Sequence, residues 1–214
     1  MRSSRSLFSR SASAALAALI LSLAAPASSH HLTMEEPDTA GFDSALAIPR
    51  PEISWAVYAR LEKPNDIDFI SFKVDRPGKV HLGIFIPFRP EFADFYPSYA
   101  LVGPGLPAPG QALPFALPAG LGAVVVRSQP QAKRETFFEP FTFTRLYYGV
   151  TFTDTEVRET GTYSMVVWSD GGDHGDYLVS YGTSESWSLR DLVDSYKVVA
   201  KVKSGAWGKF RGRP

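Results

Sequence analysis

The chain has 214 residues, with 22 basic and 22 acidic side chains. Hydrophobic residues make up 44% and charged residues 21%, which suits a packed globular domain and excludes wholesale disorder. The absence of cysteine excludes a disulfide scaffold, a thiolate metal centre and a cysteine nucleophile.

Arg2, Arg5 and Arg10 open the chain with no acid among them, and a largely apolar run of 12 residues, Ala14 to Ala25, follows. That run is short for a membrane span, which needs roughly 20 residues, and suits the core of an export signal. Ala25-Pro26-Ala27 fits cleavage before Ser28, and Ala27-Ser28-Ser29 fits cleavage before His30. Residues 1–29 are therefore expected to be a signal peptide, and the protein to be exported, periplasmic or secreted. Removing the signal takes away three arginines and no acid, so the mature body is acidic. Lys197, Lys201, Lys203, Lys209, Arg211 and Arg213 form a basic end with no acid among them. An acidic body with a basic tail excludes the broad positive face that nucleic acid requires.

After an irregular lead-in at 30–50, hydrophobicity alternates with period two. Ile53, Trp55, Val57, Ala59 and Leu61 share one face of a first strand. Ile70, Phe72 and Val74 share one face of a second, and Val80, Leu82, Ile84 and Ile86 one face of a third. Turn clusters at Lys63–Asp66 and Asp75–Gly78 join them, predicting an antiparallel meander. Residues 87–119 carry eight prolines, and no charge occurs between Asp94 and Arg127. Long loops are expected there around a strand at Tyr99–Val102, with further strands at Leu121–Arg127 and within Phe137–Tyr148. Tyr163, Met165 and Val167 share a face, and Asp176–Tyr181 returns after the turn at Ser169–Asp173. Short spaced strands predict an antiparallel β-sandwich over 30–183. At 184–204 a helix is expected, capped by Ser188 with Asp191 and stapled by Trp187 on Leu192. Its stripe is Leu189, Leu192, Val193, Tyr196, Val199 and Ala200, and residues 205–214 form the basic tail.

Two segments carry a family resemblance. The first runs from Trp55 to Leu61 and through Asn65-Asp66-Ile67-Asp68-Phe69-Ile70-Ser71-Phe72-Lys73-Val74 to Gly78-Lys79-Val80. The second is Gly161-Thr162-Tyr163 to Trp168, followed by Gly175-Asp176-Tyr177-Leu178-Val179. Together they resemble the bacterial pre-peptidase C-terminal domain and related jelly-roll modules, whose pattern closes on paired glycine-x-tyrosine strands. The resemblance implies an exported jelly-roll-like sandwich, an accessory rather than catalytic role, and in some members calcium. The middle of the chain, 87–150, is longer and more aromatic than that pattern.

Several constellations could carry chemistry. Cleavage before His30 would expose an amine–imidazole chelate suited to copper, with His31, His81 or His174 as partner. Asp170, Asp173 and Asp176, with His174 among them, could supply oxygen ligands to calcium. Asp66 and Asp68 either join a calcium site or face water. Glu135 and Glu139 are the weaker idea of paired glycosidase acids. No nucleophile elbow, zinc-protease helix or phosphate loop occurs. Phe85, Phe88, Phe92, Phe95, Tyr96 and Tyr99 precede the uncharged loop, and Phe137, Phe138, Phe141, Phe143, Tyr147 and Tyr148 follow it. So many rings among prolines predict an apolar binding surface, with Phe88, Phe92, Phe95, Tyr96 and Tyr99 its contacts and an envelope protein or glycan its partner. Lys201, Lys203, Trp207, Lys209, Phe210 and Arg211 suit an anionic membrane surface or an acidic partner. The expectation is a non-catalytic envelope binding module, with a periplasmic copper or calcium protein as the alternative and a hydrolase third.

Overall fold

The computed structural model describes residues 30–139, 142–150, 153–184, 186 and 189–203. The segment expected to be a signal peptide, the expected helix cap at Trp187 and Ser188, Phe141, and the tail residues Trp207, Lys209, Phe210 and Arg211 lie outside the described residues.

Among the described residues twelve strands and one α-helix follow in order: β1 (His31–Met34), β2 (Leu46–Ile48), β3 (Trp55–Leu61), β4 (Ile67–Val74), β5 (Gly78–Pro87), β6 (Pro97–Gly103), β7 (Gly122–Val126), β8 (Thr136–Glu139), β9 (Thr144–Tyr148), β10 (Thr153–Val157), β11 (Gly161–Ser169), β12 (Gly175–Tyr181) and α1 (Leu189–Lys203). One sheet has the order β1-β3-β12-β5-β9-β8, with β10 also paired to β5. The other has the order β2-β4-β11-β6-β7. Pairing is antiparallel except at two edges, where β1 runs parallel to β3 and β2 parallel to β4. The result is the expected jelly-roll-like sandwich with a C-terminal helix.

The alternation read from sequence places the interior correctly. Val57, Ala59 and Leu61 face Ile70, Phe72 and Val74 across the two sheets, and Leu82, Ile84, Ile86, Tyr163, Met165 and Val167 join the same core. The connectivity differs from a meander. β3, β4 and β5 step from one sheet to the other and back, with β12 inserted between β3 and β5. β11 and β12 likewise lie in opposite sheets, so the glycine-x-tyrosine strands do not pair as a hairpin. The physical reason is burial. Each of these strands carries a full inward face, and turns that cross between layers bury more apolar surface than a flat ribbon would.

The outward faces are apolar too, which period-two alternation did not suggest. On the β2-β4-β11-β6-β7 sheet, Phe69, Ala100, Val102, Val166 and Trp168 are buried beneath Leu113, Phe115, Leu117 and Leu121. The charge-free proline loop thus covers its own sheet. It crosses so close to β7 that a Cβ on Gly122 would lie 1.9 Å from the Leu106 carbonyl oxygen. On the other sheet, Leu32, Ala56, Tyr58, Phe85, Leu146 and Leu178 pack with Val199 and Val202 of α1. The buried face of α1 holds Ser195, Val199 and Val202, whereas Val193 and Tyr196 are exposed, 58% and 64%. Of the expected stripe, Val199 is buried and Val193, Tyr196 and Ala200 are exposed, while the side chains of Leu189 and Leu192 lie outside the described residues. Ser195, buried on this face, was not part of that stripe.

Candidate functional site

Three groups of side chains merit attention: the predicted metal ligands, the aromatic residues, and a pocket on the helix-covered sheet.

The Asp170–Asp176 turn does not gather into a calcium cradle. Asp170 accepts hydrogen bonds from Arg127 Nη1, from Trp168 Nε1 at 2.7 Å and from Ser98 Oγ at 2.8 Å. Asp176 is buried and bridged by Arg60 to one oxygen and by Arg89 to the other. Desolvation raises its pKa, opposed by those two arginines. Asp173 and His174 are exposed. Of three carboxylates expected to converge, two are engaged by cations in different directions. At the N-terminal edge, His30 Nδ1 lies 2.5 Å from Ser54 Oγ. His31 is buried, bonded through Nε2 to the Ser186 carbonyl, with Nδ1 3.6 Å from Asp191. His81 Nδ1 sits 2.7 Å from Asp154, whose carboxyl is held below its ordinary pKa by that hydrogen bond. Among the described residues, the group of three metal-ligating side chains that lie together, Glu35, Asp38 and Asp68, includes none of these histidines.

Asp66 and Asp68 do not face water; both are buried. Asp66 accepts the Glu62 N–H at 2.6 Å, the geometry of a side chain closing its own turn. Asp68 joins Glu35 and Asp38 in a set whose ligand oxygens lie within 4.8 Å of one another. These are hard oxygen donors of the kind calcium takes. They also have protein donors. Glu35 Oε1 accepts the Thr39 N–H at 3.2 Å and its hydroxyl at 2.5 Å, and Asp68 Oδ2 accepts the Tyr177 hydroxyl at 2.7 Å. Thr39 Oγ1 in turn accepts the Phe69 N–H at 3.0 Å. The set ties the segment after β1 to β4 and β12. The sequence hinted at it only through Asp68.

The predicted aromatic contact surface divides. Phe92, Phe95 and Tyr99 are core residues, at most 6% exposed. Tyr96 is half-buried beside Arg134, a residue that sequence reasoning missed. The Arg134 guanidinium lies between two rings, 4.4 Å from the Tyr96 centroid and 4.6 Å from that of Tyr147. Its Nη1 donates to the carbonyls of Phe92, Ala93 and Phe95 at 3.1–3.2 Å. Burial pushes its pKa below the ordinary value. Only Phe88 of the predicted set is substantially exposed, at 46%, and the exposed rings near it are Phe138 at 54% and Phe143 at 70%. Phe138 and Phe143 meet edge to face at 6.1 Å on the β8–β9 hairpin. Two cations stand over this group: Arg145 is 5.5 Å from the Phe88 centroid, and Lys203 Nζ is 4.7 Å from that of Phe143. Lys201, also in the predicted contact set, is paired with Glu36 at 3.0 Å.

Beside this rim the outer face of the helix-covered sheet holds a pocket of about 210 Å³. Leu32, Ala56, Phe85 and Leu178 form part of its apolar lining, and Glu139, Ser180 and His30 bring polar atoms to it. Tyr58 also lines it, and burial raises this phenol far above its ordinary pKa. Glu135, the expected partner acid of Glu139, is exposed and is not part of the lining.

No family model matches this sequence, and no curated protein matches it.

Proposed function

We propose that this chain is an exported, non-catalytic binding module of the accessory kind its strand pattern resembles, and that it meets the anionic surface of the envelope membrane. The contact surface is the rim formed by Phe88, Phe138 and Phe143 with Arg145 and Lys203. One observation carries the reading: the exposed rings and the cations share this rim, and the described chain leaves it at Lys203, the start of the Trp207, Lys209, Phe210, Arg211 and Arg213 segment. Rings that insert at headgroup depth and cations that pair with lipid phosphate are the two contributions peripheral binding combines. Each basic residue near an anionic leaflet contributes roughly 1 kcal/mol, so the tail and the rim together supply several. Among the described residues no helix is long and apolar enough to cross a membrane.

Flotation of the full chain with vesicles rich in phosphatidylglycerol, against vesicles of phosphatidylcholine alone, tests this. The chain is expected to float with the anionic vesicles and to lose most of that recovery in high salt. The Phe88→Ser, Phe138→Ser, Phe143→Ser triple variant is expected to stay behind even at low salt. Equal recovery of variant and parent removes the rim from the account.

A further inference from the structure

The pocket beside the rim has a chemistry of its own. Phe85, Phe137 and Tyr148 form a continuous aromatic wall, with centroids 4.9 Å apart for Phe85–Phe137, 4.9 Å for Phe137–Tyr148 and 5.7 Å for Phe85–Tyr148. Tyr58 adds a fourth ring, and the fixed negative charge in the lining is the carboxylate of Glu139. That carboxylate is oriented from within the protein: its Oε2 accepts the Thr142 N–H at 2.7 Å and the Thr142 hydroxyl. Alternation along β8 explains the placement. Phe137 and Glu139 point to the pocket face, while Phe138 between them points to the opposite face.

We infer that this pocket binds a small organic ammonium ion, with its alkyl groups against the rings of Phe85, Phe137, Tyr148 and Tyr58 and its charge balanced by Glu139. Ring faces attract cations through their quadrupole, and quaternary ammonium groups suit them because they are charged yet weakly hydrated. A carboxylate in an aromatic lining favours a cationic occupant, and an anion would be repelled by it. The volume sets the size: about 210 Å³ is below the range of roughly 300 Å³ and up that drug-sized ligands need. The occupant is therefore a compact cation or the ammonium end of a larger molecule. The inference is independent of the membrane reading, since none of the residues named for the pocket belongs to the rim or to the tail.

The test is titration of choline chloride into the full chain without vesicles, followed by heteronuclear NMR, beside its neutral carbon isostere 3,3-dimethylbutan-1-ol. Choline is expected to shift the amides of β8, β9 and β12 saturably, and the isostere to bind at least tenfold more weakly. Glu139→Gln keeps an acceptor for Thr142 and is expected to lower choline affinity at least tenfold without unfolding the domain. Tyr148→Leu removes one ring from a partly exposed position and is expected to weaken choline severalfold, which keeps the inference open to refutation should the glutamine variant fail to fold. Competition by phosphatidylcholine vesicles would identify a lipid headgroup as the source of the cation; saturable choline binding without that competition would identify a free ion. No saturable shift with choline, or equal binding of the isostere, overturns the inference, and neither result bears on flotation with anionic vesicles.

Discussion

Removing the Arg134 guanidinium should destabilise the domain more than its partly exposed position suggests. Nη1 carries two protons and serves three carbonyls, those of Phe92, Ala93 and Phe95, so the equivalent of two charged-donor bonds is lost. At about 1.5–3 kcal/mol each, these make the larger contribution. The stacking against Tyr96 and Tyr147 adds roughly 0.5–1 kcal/mol per ring. Against this stands the burial penalty that lowers the arginine pKa, which truncation relieves. The net for Arg134→Ala is about 3 kcal/mol, or a fall of roughly 6–12 °C in Tm for a domain of this size. Arg134→Lys keeps the charge but cannot span both rings and the carbonyls, and should lose about half as much. Thermal unfolding by circular dichroism, with near-ultraviolet signals to report Phe92 and Phe95 packing, measures both. An alanine variant that melts within about 2 °C of the parent refutes the reasoning, because the three carbonyls would then be satisfied without the arginine.

Other outcomes follow from the buried polar network. Tyr177→Phe leaves Asp68 without its 2.7 Å donor and should cost about 1–3 kcal/mol. Tyr181→Phe removes a buried hydroxyl that has no hydrogen-bond partner and should be neutral or stabilising in the same denaturant titration. Burial raises the Tyr177 and Tyr181 phenols well above their ordinary value. A raised folded pKa means stability is intact below the unfolded value near 10 and is lost as pH rises beyond it. Phenolate absorbance should therefore show these two of the nine tyrosines ionising only with alkaline unfolding. Asp154 is held low first by the hydrogen bond from His81, so its contribution is present above the ordinary carboxyl range and is lost as pH falls through its depressed value. His81→Ala should move the Asp154 midpoint up towards 3.8 in an NMR titration.

Much of the fold was legible because the inward faces largely obey period two: Val57, Ala59 and Leu61, or Tyr163, Met165 and Val167, announce themselves by alternation alone. The connectivity was not legible, because a turn such as Asp75–Gly78 reads the same whether it joins neighbours in one sheet or crosses between two. The second apolar faces were hidden for a related reason. Trp168 and Leu178 appear in sequence as exceptions to alternation, and only the loop and helix that cover them give them a purpose. The candidate site was half legible. Composition pointed to exposed rings, and Phe88 is one of them, but Phe92, Phe95 and Tyr99 are buried. Proximity in sequence to prolines does not tell which rings the core needs. Arg134 gave no recognisable signal as a ring-stacked cation, because its carbonyl partners lie about 40 residues earlier in the chain, and Glu139 gave none as a pocket acid, because Leu32, Tyr58 and Leu178, which complete the lining, come from distant strands.

The proposed membrane contact sets the rim, and not the proline loop, against the bilayer. An environment-sensitive fluorophore at position 143, on the rim, and separately at position 110, in the proline loop over the other sheet, reports this directly once phosphatidylglycerol vesicles are added to the full chain. A blue shift at 143 with none at 110 is the expected result. No shift at 143, or equal shifts at both, would contradict the proposed orientation and with it the binding surface.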